Sequence, residues 1–267
     1  MSRKENPAST PDPDPGGRML GLLAGLRTEG VERSFKMAER SLLSDRILAG
    51  VHKSDITPQR LFDLCVSLGM PSQFLQDLKQ RAESANAFHF GYEGRSGGGL
   101  YKVYLEFASR LVAATEDPVL LHLAYKWESA DNRRRTIARY TCHPRLGPEK
   151  ILERVGAAYS NDSLVAAAVQ DILRLAGGRA SKLPMYLEVA EEDNPRSSFD
   201  INLHAAGLQV GDAAEALERV RELFAVPGDE FSPVLAMAAD APLGHLSGGT
   251  SREGREFLTV YYAAGSA

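Results

Sequence analysis

The sequence predicts an α+β protein built on an antiparallel sheet, and three observations carry that expectation. Stretches of strict period-two alternation recur in adjacent pairs separated by turn residues. No strand is joined to the next by a single crossover helix, as a parallel sheet requires. The polar side of the alternating stretches holds several His and Tyr, whereas an ordinary wet sheet face is rich in Thr, Lys, Glu and Ser. The expected sheet has about eight strands in four hairpins, open or closed into a barrel with a polar interior, and helix pairs cover its apolar face.

Length and composition set the bounds. At 267 residues and 43% hydrophobic, the chain can bury a substantial core in a single domain, expected over residues 17–267. Residues 1–16 are rich in proline and lack apolar periodicity, so burial cannot offset the entropy of ordering them and they read as a disordered tail. A formal net charge of -4 gives no global field for wrapping nucleic acid. No apolar run approaches the ~18 residues that span a bilayer. Residues 19–26 are apolar but short and broken by glycine, a poor secretory signal. Cys65 and Cys142 stand far apart without Cys-x-x-Cys spacing, implying neither a disulfide framework nor a thiolate zinc cluster, and a reducing cytoplasm is the natural setting.

Along the chain, residues 18–51 show helix-compatible spacing (Leu20, Leu22, Leu23 and Leu26, then Val31, Phe35, Met37 and Ala38) and are expected to form one or two outer helices. Thr57-Pro58 opens a helix with a capping hydroxyl and proline at its first position, Leu61, Leu64, Cys65 and Leu68 share one face, and Gly69 ends it. Pro71-Ser72 opens a second helix, through Phe74, Leu75 and Leu78. The first hairpin pairs residues 87–93 with 100–107. Its glycine-rich connection joins two strands instead of opening a helix, so it reads as a turn rather than a phosphate loop, with Arg95 the feature that favours an anion. A short segment leads to the second hairpin, 120–128 with 134–143, whose tip carries Arg133, Arg134 and Arg135. Gly147-Pro148 and Asn161-Asp162 start two helices, and the third hairpin pairs 184–192 with 198–204. Asp212 and Ser232-Pro233 start the last two helices, and the fourth hairpin pairs 243–247 with 257–262. Trp127 is in phase with Tyr125 and Leu123 and is expected to pack beneath a helix.

Side chains two apart on a strand share a face, so several polar groups line up. These are Lys102, Tyr104 and Glu106; His122, Lys126 and Glu128; Arg139, Thr141 and His143; Tyr186 and Glu188; Asp200, Asn202 and His204; and Thr259 with Tyr261. Lys and Arg neutralise phosphate, Tyr hydroxyls add hydrogen bonds while their rings shield a carbocation, and a buried carboxylate with a raised pKa serves as a base. The combination fits transfer of an allylic group from a diphosphate to a nucleophile.

The succession of helices and hairpins, with the Lys-x-Tyr alternation at Lys102-Val103-Tyr104, resembles the ABBA-type aromatic prenyltransferases over about residues 57–262. The resemblance is one of architecture. It implies a closed barrel with a polar interior, and a small-molecule diphosphate and an aromatic or peptide acceptor as partners. It matches the family's diphosphate-holding Lys, Arg and Tyr to Lys102, Lys126, Arg139, Tyr186 and Tyr261. On the residues themselves, Lys102, Lys126 and Arg139 are expected to hold the diphosphate, Tyr104, Tyr186 and Tyr261 to shield the cation, and Glu106 or Asp200 to act as base, with His204 among the substrate-binding groups. No metal ligands are assigned among these groups, and no cofactor is identified. The family has five hairpins and ten strands, whereas four hairpins are legible here and no helix pair separates the first two.

Two other readings account for the same residues. His143, His204 and Asp200 or Glu188 supply two imidazoles and a carboxylate, the set of a non-haem metal enzyme, although no His-x-Asp or His-x-x-x-His spacing accompanies them. A non-catalytic protein can use the polar face to hold a peptide or anion, or to assist assembly of another enzyme. Closure of the sheet separates these possibilities: a barrel makes the polar face a chamber, and an open sheet makes it a docking surface.

Overall fold

In the computed structural model, eleven strands form one continuous antiparallel sheet whose last strand pairs back on its first. The structure describes residues 14–95, 98–112, 118–179, 184–192 and 194–263. Helix α1 (Pro15–Leu23) precedes β1 (Gly30–Ala38), β2 (Ser41–Leu43) and β3 (Arg46–His52), which lead to α2 (Pro58–Ser67) and α3 (Ser72–Arg81). Next come β4 (Ala87–Arg95), β5 (Gly98–Glu106), the short α4 (Ala108–Val112), β6 (Val119–Glu128) and β7 (Arg135–Cys142). Helices α5 (Pro148–Ala157) and α6 (Leu164–Arg179) lead to β8 (Met185–Glu191) and β9 (Asn194–Asn202). Finally α7 (Ala214–Leu223) and α8 (Gly228–Ala238) lead to β10 (Leu243–Thr250) and β11 (Glu256–Ala263). Strand β1 closes the ring on β11, with Ser34 opposite Tyr261 and Lys36 opposite Thr259, while β2 extends the β3 side of β1. Ten strands therefore form a closed barrel, which turns their inner faces into an enclosed interior.

The expected count of about eight strands is corrected to ten in the ring, and the missing hairpin lies where outer helices were expected. In β1, Val31, Phe35 and Met37 alternate with Glu32, Ser34 and Lys36; in β3, Ile47, Ala49 and Val51 alternate with Arg46, Leu48 and Gly50. Val31 and Phe35, four apart, satisfy helical and strand spacing alike, and pairing with β11 and β4 selects the strand. The other four hairpins form where the alternation places them. Asp14 caps α1, its Oδ1 accepting from the Gly17 amide at 2.8 Å, so the helix begins inside the expected tail; residues 1–13 lie outside the described residues. Helix α8 starts at Gly228 and carries Pro233 in its interior instead of starting there.

The core is a shell between the barrel wall and the helices. On one side Phe35, Phe199, Ile201 and Val260 pack with Val169, Ile172, Leu217 and Phe231 from the helices. On the other, Phe90, Val103, Tyr125 and Trp127 meet Leu61, Leu64, Phe74 and Leu78. Trp127 is fully buried beneath α2, as its phase predicts, and its indole Nε1 donates to the Leu68 carbonyl at 3.0 Å. Trp127→Ala removes that hydrogen bond and leaves a large cavity, so urea unfolding is expected to show a loss of about 3–5 kcal/mol. A loss under about 1 kcal/mol would mean the shell is not packed at this point. No helix among the described residues is long and apolar enough to cross a membrane.

Candidate active site

Barrel closure turns the polar strand faces into an interior with two chambers. Tyr104, Tyr140 and Tyr261 line both and form the waist between them. The Tyr104 and Tyr140 ring centroids lie 5.7 Å apart. The wholly buried Ala124 and Ala138 sit beside them on the inner wall, where small side chains leave the rings room. Burial raises the Tyr104 hydroxyl well above its ordinary value, and burial also raises Tyr261 although Arg46 opposes it, so both are neutral phenols at neutral pH.

The first chamber, about 440 Å³, is strongly cationic: among the described residues, nine Lys and Arg side chains line it against four Glu. In a chain whose formal net charge is -4, that excess is local. Strand pairing places Lys102 directly opposite Lys126, a like-charge juxtaposition that two buried carboxylates relieve. Glu93 accepts from Lys102 Nζ at 2.9 Å, from Arg95 at 2.6 Å, and from Arg46. Glu191 accepts from Lys126 Nζ at 2.9 Å and from Arg252 Nε at 2.7 Å. Arg46 also donates to Ser34 Oγ at 3.0 Å and to Tyr261 Oη at 3.4 Å, linking the cationic floor to the waist. Burial alone would raise Glu93, but Arg46, Lys102 and Lys36 outweigh it and hold its carboxyl well below the ordinary range. For Lys102 burial prevails over Glu93 and pulls the ammonium down to about 7.

The second chamber, about 570 Å³, has the opposite electrostatics: among the described residues, four His and four carboxylates line it, and no Lys or Arg. The imidazoles pair with acids. His89 Nε2 lies 2.7 Å from Glu106 Oε2, His245 Nδ1 2.8 Å from Asp200 Oδ1, and His204 Nε2 3.2 Å from Glu32 Oε1. The His89 hydrogen bond is the main cause holding Glu106 below its ordinary value. Burial would lower His245, but Asp200 outweighs it and raises the imidazole. A bulge between Leu120 and His122 puts both Leu121 and His122 on the lining. His122 stacks edge-on between His89 and Tyr140, burial pulls it down to about 3, and its Nδ1 is buried without a partner.

Of the site residues read from the sequence, Lys102, Tyr104, Lys126 and Tyr261 line the cationic chamber, and Tyr104, Glu106, Asp200, His204 and Tyr261 line the histidine chamber. His204 sits there with its side chain half exposed. Arg139 and Tyr186 lie on the outer face of the barrel wall, so the inner face expected for them is corrected. Arg139 pairs with Glu192 at 2.9 Å, and Tyr186 stacks on Phe199 under the helical shell. The inner face of β7 is Thr136, Ala138 and Tyr140, because Ile137 joins the outer core and Arg139 occupies outer surface that remains exposed. The metal set of His143 with Glu188 is likewise outside, where both meet Arg154. Sequence reasoning missed Lys36, Arg46, Glu93, Tyr140 and Glu191. Arg46 carried a usable signal, alternation against Ile47, Ala49 and Val51.

No protein-family model matches the chain, and no curated protein matches it in sequence. Solved structures do match. The 5-dimethylallyltryptophan synthase from Streptomyces coelicolor has a TM-score of 0.60 at 16% identity, covering 87% of this chain and 80% of that one. The 6-dimethylallyltryptophan synthase from Micromonospora olivasterospora, solved in complex with DMASPP and Trp, has a TM-score of 0.60 at 15% identity, covering 88% and 82%. NotF in complex with brevianamide F and DMSPP has a TM-score of 0.56 at 12% identity, covering 89% and 81%. At these identities the likeness is one of fold, and the chain has the architecture of the ABBA-type aromatic prenyltransferases.

Proposed function

We propose that this protein transfers an allylic group from a diphosphate to an aromatic acceptor inside the barrel. The observation that carries the reading is the tyrosine waist between a cationic chamber and an acid-lined one. The diphosphate sits among Lys36, Arg46, Lys102 and Lys126, whose charge stabilises the leaving group as the allylic C–O bond breaks. Tyr104, Tyr140 and Tyr261 present ring faces to the cation and exclude water that would quench it. An aromatic side chain or peptide held in the histidine chamber attacks the cation through a ring carbon, and Glu106 or Asp200 takes the proton that the ring then loses. Pyrophosphate leaves with the bonding electrons. The solved neighbours bound to DMASPP with Trp, or to DMSPP with brevianamide F, support an acceptor of this kind. The buried Cys65 and Cys142 suit a reducing cytoplasm.

Incubation with dimethylallyl diphosphate, tryptophan and tryptophan-containing dipeptides is expected to give a mono-prenylated acceptor and pyrophosphate, read by mass spectrometry. Absence of product with dimethylallyl and geranyl diphosphates, together with no rise in Tm on adding either, would remove the reading.

A further inference from the structure

We propose that His89, Glu106 and His122 form a binding site for a divalent transition metal of the zinc class in the histidine chamber. One ligand atom from each lies within 4.8 Å of the others, and all three side chains are part-buried. Two imidazoles and one carboxylate are a donor set suited to zinc, with a fourth position left for a small molecule. Three further features favour a cation here. The buried Nδ1 of His122 has no hydrogen-bond partner, a cost that a changed ring tautomer and a coordinate bond would relieve. Among the described residues no Lys or Arg lines the chamber to repel the ion, while three more carboxylates face it. Gly50 lies against the ring of His89, where an added Cβ would stand 3.1 Å from Nδ1, so the glycine is what lets the imidazole sit in this place beside Glu106.

A second group, Glu32, His204 and His245, gathers as closely, but His204 is exposed and His245 is held by Asp200. The ion therefore belongs with His122. Coordination occupies Glu106 and leaves Asp200 as the proton acceptor for a substrate in the same chamber. The fourth position would be open to a carboxylate or phenolate of an acceptor bound in that chamber.

The test needs neither diphosphate nor acceptor, so its failure leaves the transfer reading standing, and failure of transfer leaves the site standing. The full chain is stripped with chelator and titrated with Co2+, whose visible bands report coordination. One Co2+ per chain is expected, displaced by Zn2+. His122→Gln and Glu106→Gln are each expected to weaken binding at least about tenfold, and His204→Gln by less than about threefold. Circular dichroism and Tm establish that the variants fold, and the isosteric Glu106→Gln serves if His122→Gln does not. No stoichiometric binding, unchanged affinity in Glu106→Gln, or a loss carried by His204→Gln instead would each overturn the assignment.

Discussion

Lys102→Met is expected to lower kcat/KM for allylic transfer by about a hundredfold or more and to flatten the pH dependence of diphosphate binding. Lys102 Nζ sits 2.9 Å from Glu93 at the floor of the cationic chamber, buried and directly across from Lys126. Burial pulls its ammonium from an ordinary 10.5 to about 7, Glu93 opposing and Arg46 and Lys126 assisting. In the free protein it therefore loses charge as the pH rises past neutrality, and a bound diphosphate restores it. Binding takes up a proton at Lys102, so affinity for pyrophosphate falls as pH rises above about 7. Pyrophosphate has ionisations of its own, but these are common to both proteins, and the difference between wild-type and Lys102→Met slopes isolates the lysine. Stability moves the other way. Between the folded value near 7 and the unfolded 10.5, the unfolded chain holds a proton that the folded chain has released, so folding stability rises with pH across that window. The substitution removes that slope also. Calorimetric titration with pyrophosphate between about pH 6 and 9 reads the first effect and denaturant melts the second. Identical pH slopes in the two proteins, or unchanged kcat/KM, would take Lys102 out of the diphosphate seat.

How far the sequence reaches depends on the kind of signal each element carries. Four hairpins are legible because each strand has an apolar face whose period of two has no helical alternative, as in Tyr101, Val103, Leu105 and Phe107. The β1–β3 hairpin is hidden because its apolar residues are spaced compatibly with both periods, and the choice is made by pairing partners more than two hundred residues away in β11. Closure follows from that hairpin and was hidden with it. In the site, Lys102, Tyr104 and Glu106 are legible because an uninterrupted strand fixes their common face. Arg139 and Tyr186 mislead for a physical reason: a polar residue over uncovered outer surface and an aromatic residue in the shell produce alternation of the opposite phase. Bulges add to this, since one extra residue at Leu121 changes which neighbours share a wall. The pairing of the chamber's cations with Glu93 and Glu191 crosses strands, and no spacing along a single strand carries it.

Glu93→Ala is expected to destabilise the fold by about 3–5 kcal/mol and to make pyrophosphate a stronger stabiliser than it is for the wild type. Glu93 gathers Arg46, Lys102 and Arg95 around one carboxylate that is almost wholly buried. Removing it leaves Arg46 and Lys102, both buried, without their shared carboxylate, and the penalty is that of uncompensated charge. In the wild type this carboxylate contributes stability above its unfolded pKa near 4.5, and the contribution is lost as pH falls through the much lower folded value. Glu93 therefore neutralises, in the folded chain, two of the cations that a bound diphosphate would also meet. If the seat is the diphosphate site, the anion partly replaces the missing carboxylate, and the gain in Tm on adding pyrophosphate is larger in Glu93→Ala than in the wild type, with sodium chloride of equal ionic strength as control. A purely structural ion cluster predicts something else: the variant loses stability, and pyrophosphate raises both proteins equally or neither. Thermal melts of the two proteins with and without pyrophosphate decide between these outcomes, and they do so without turnover, so the seat is tested independently of the acceptor.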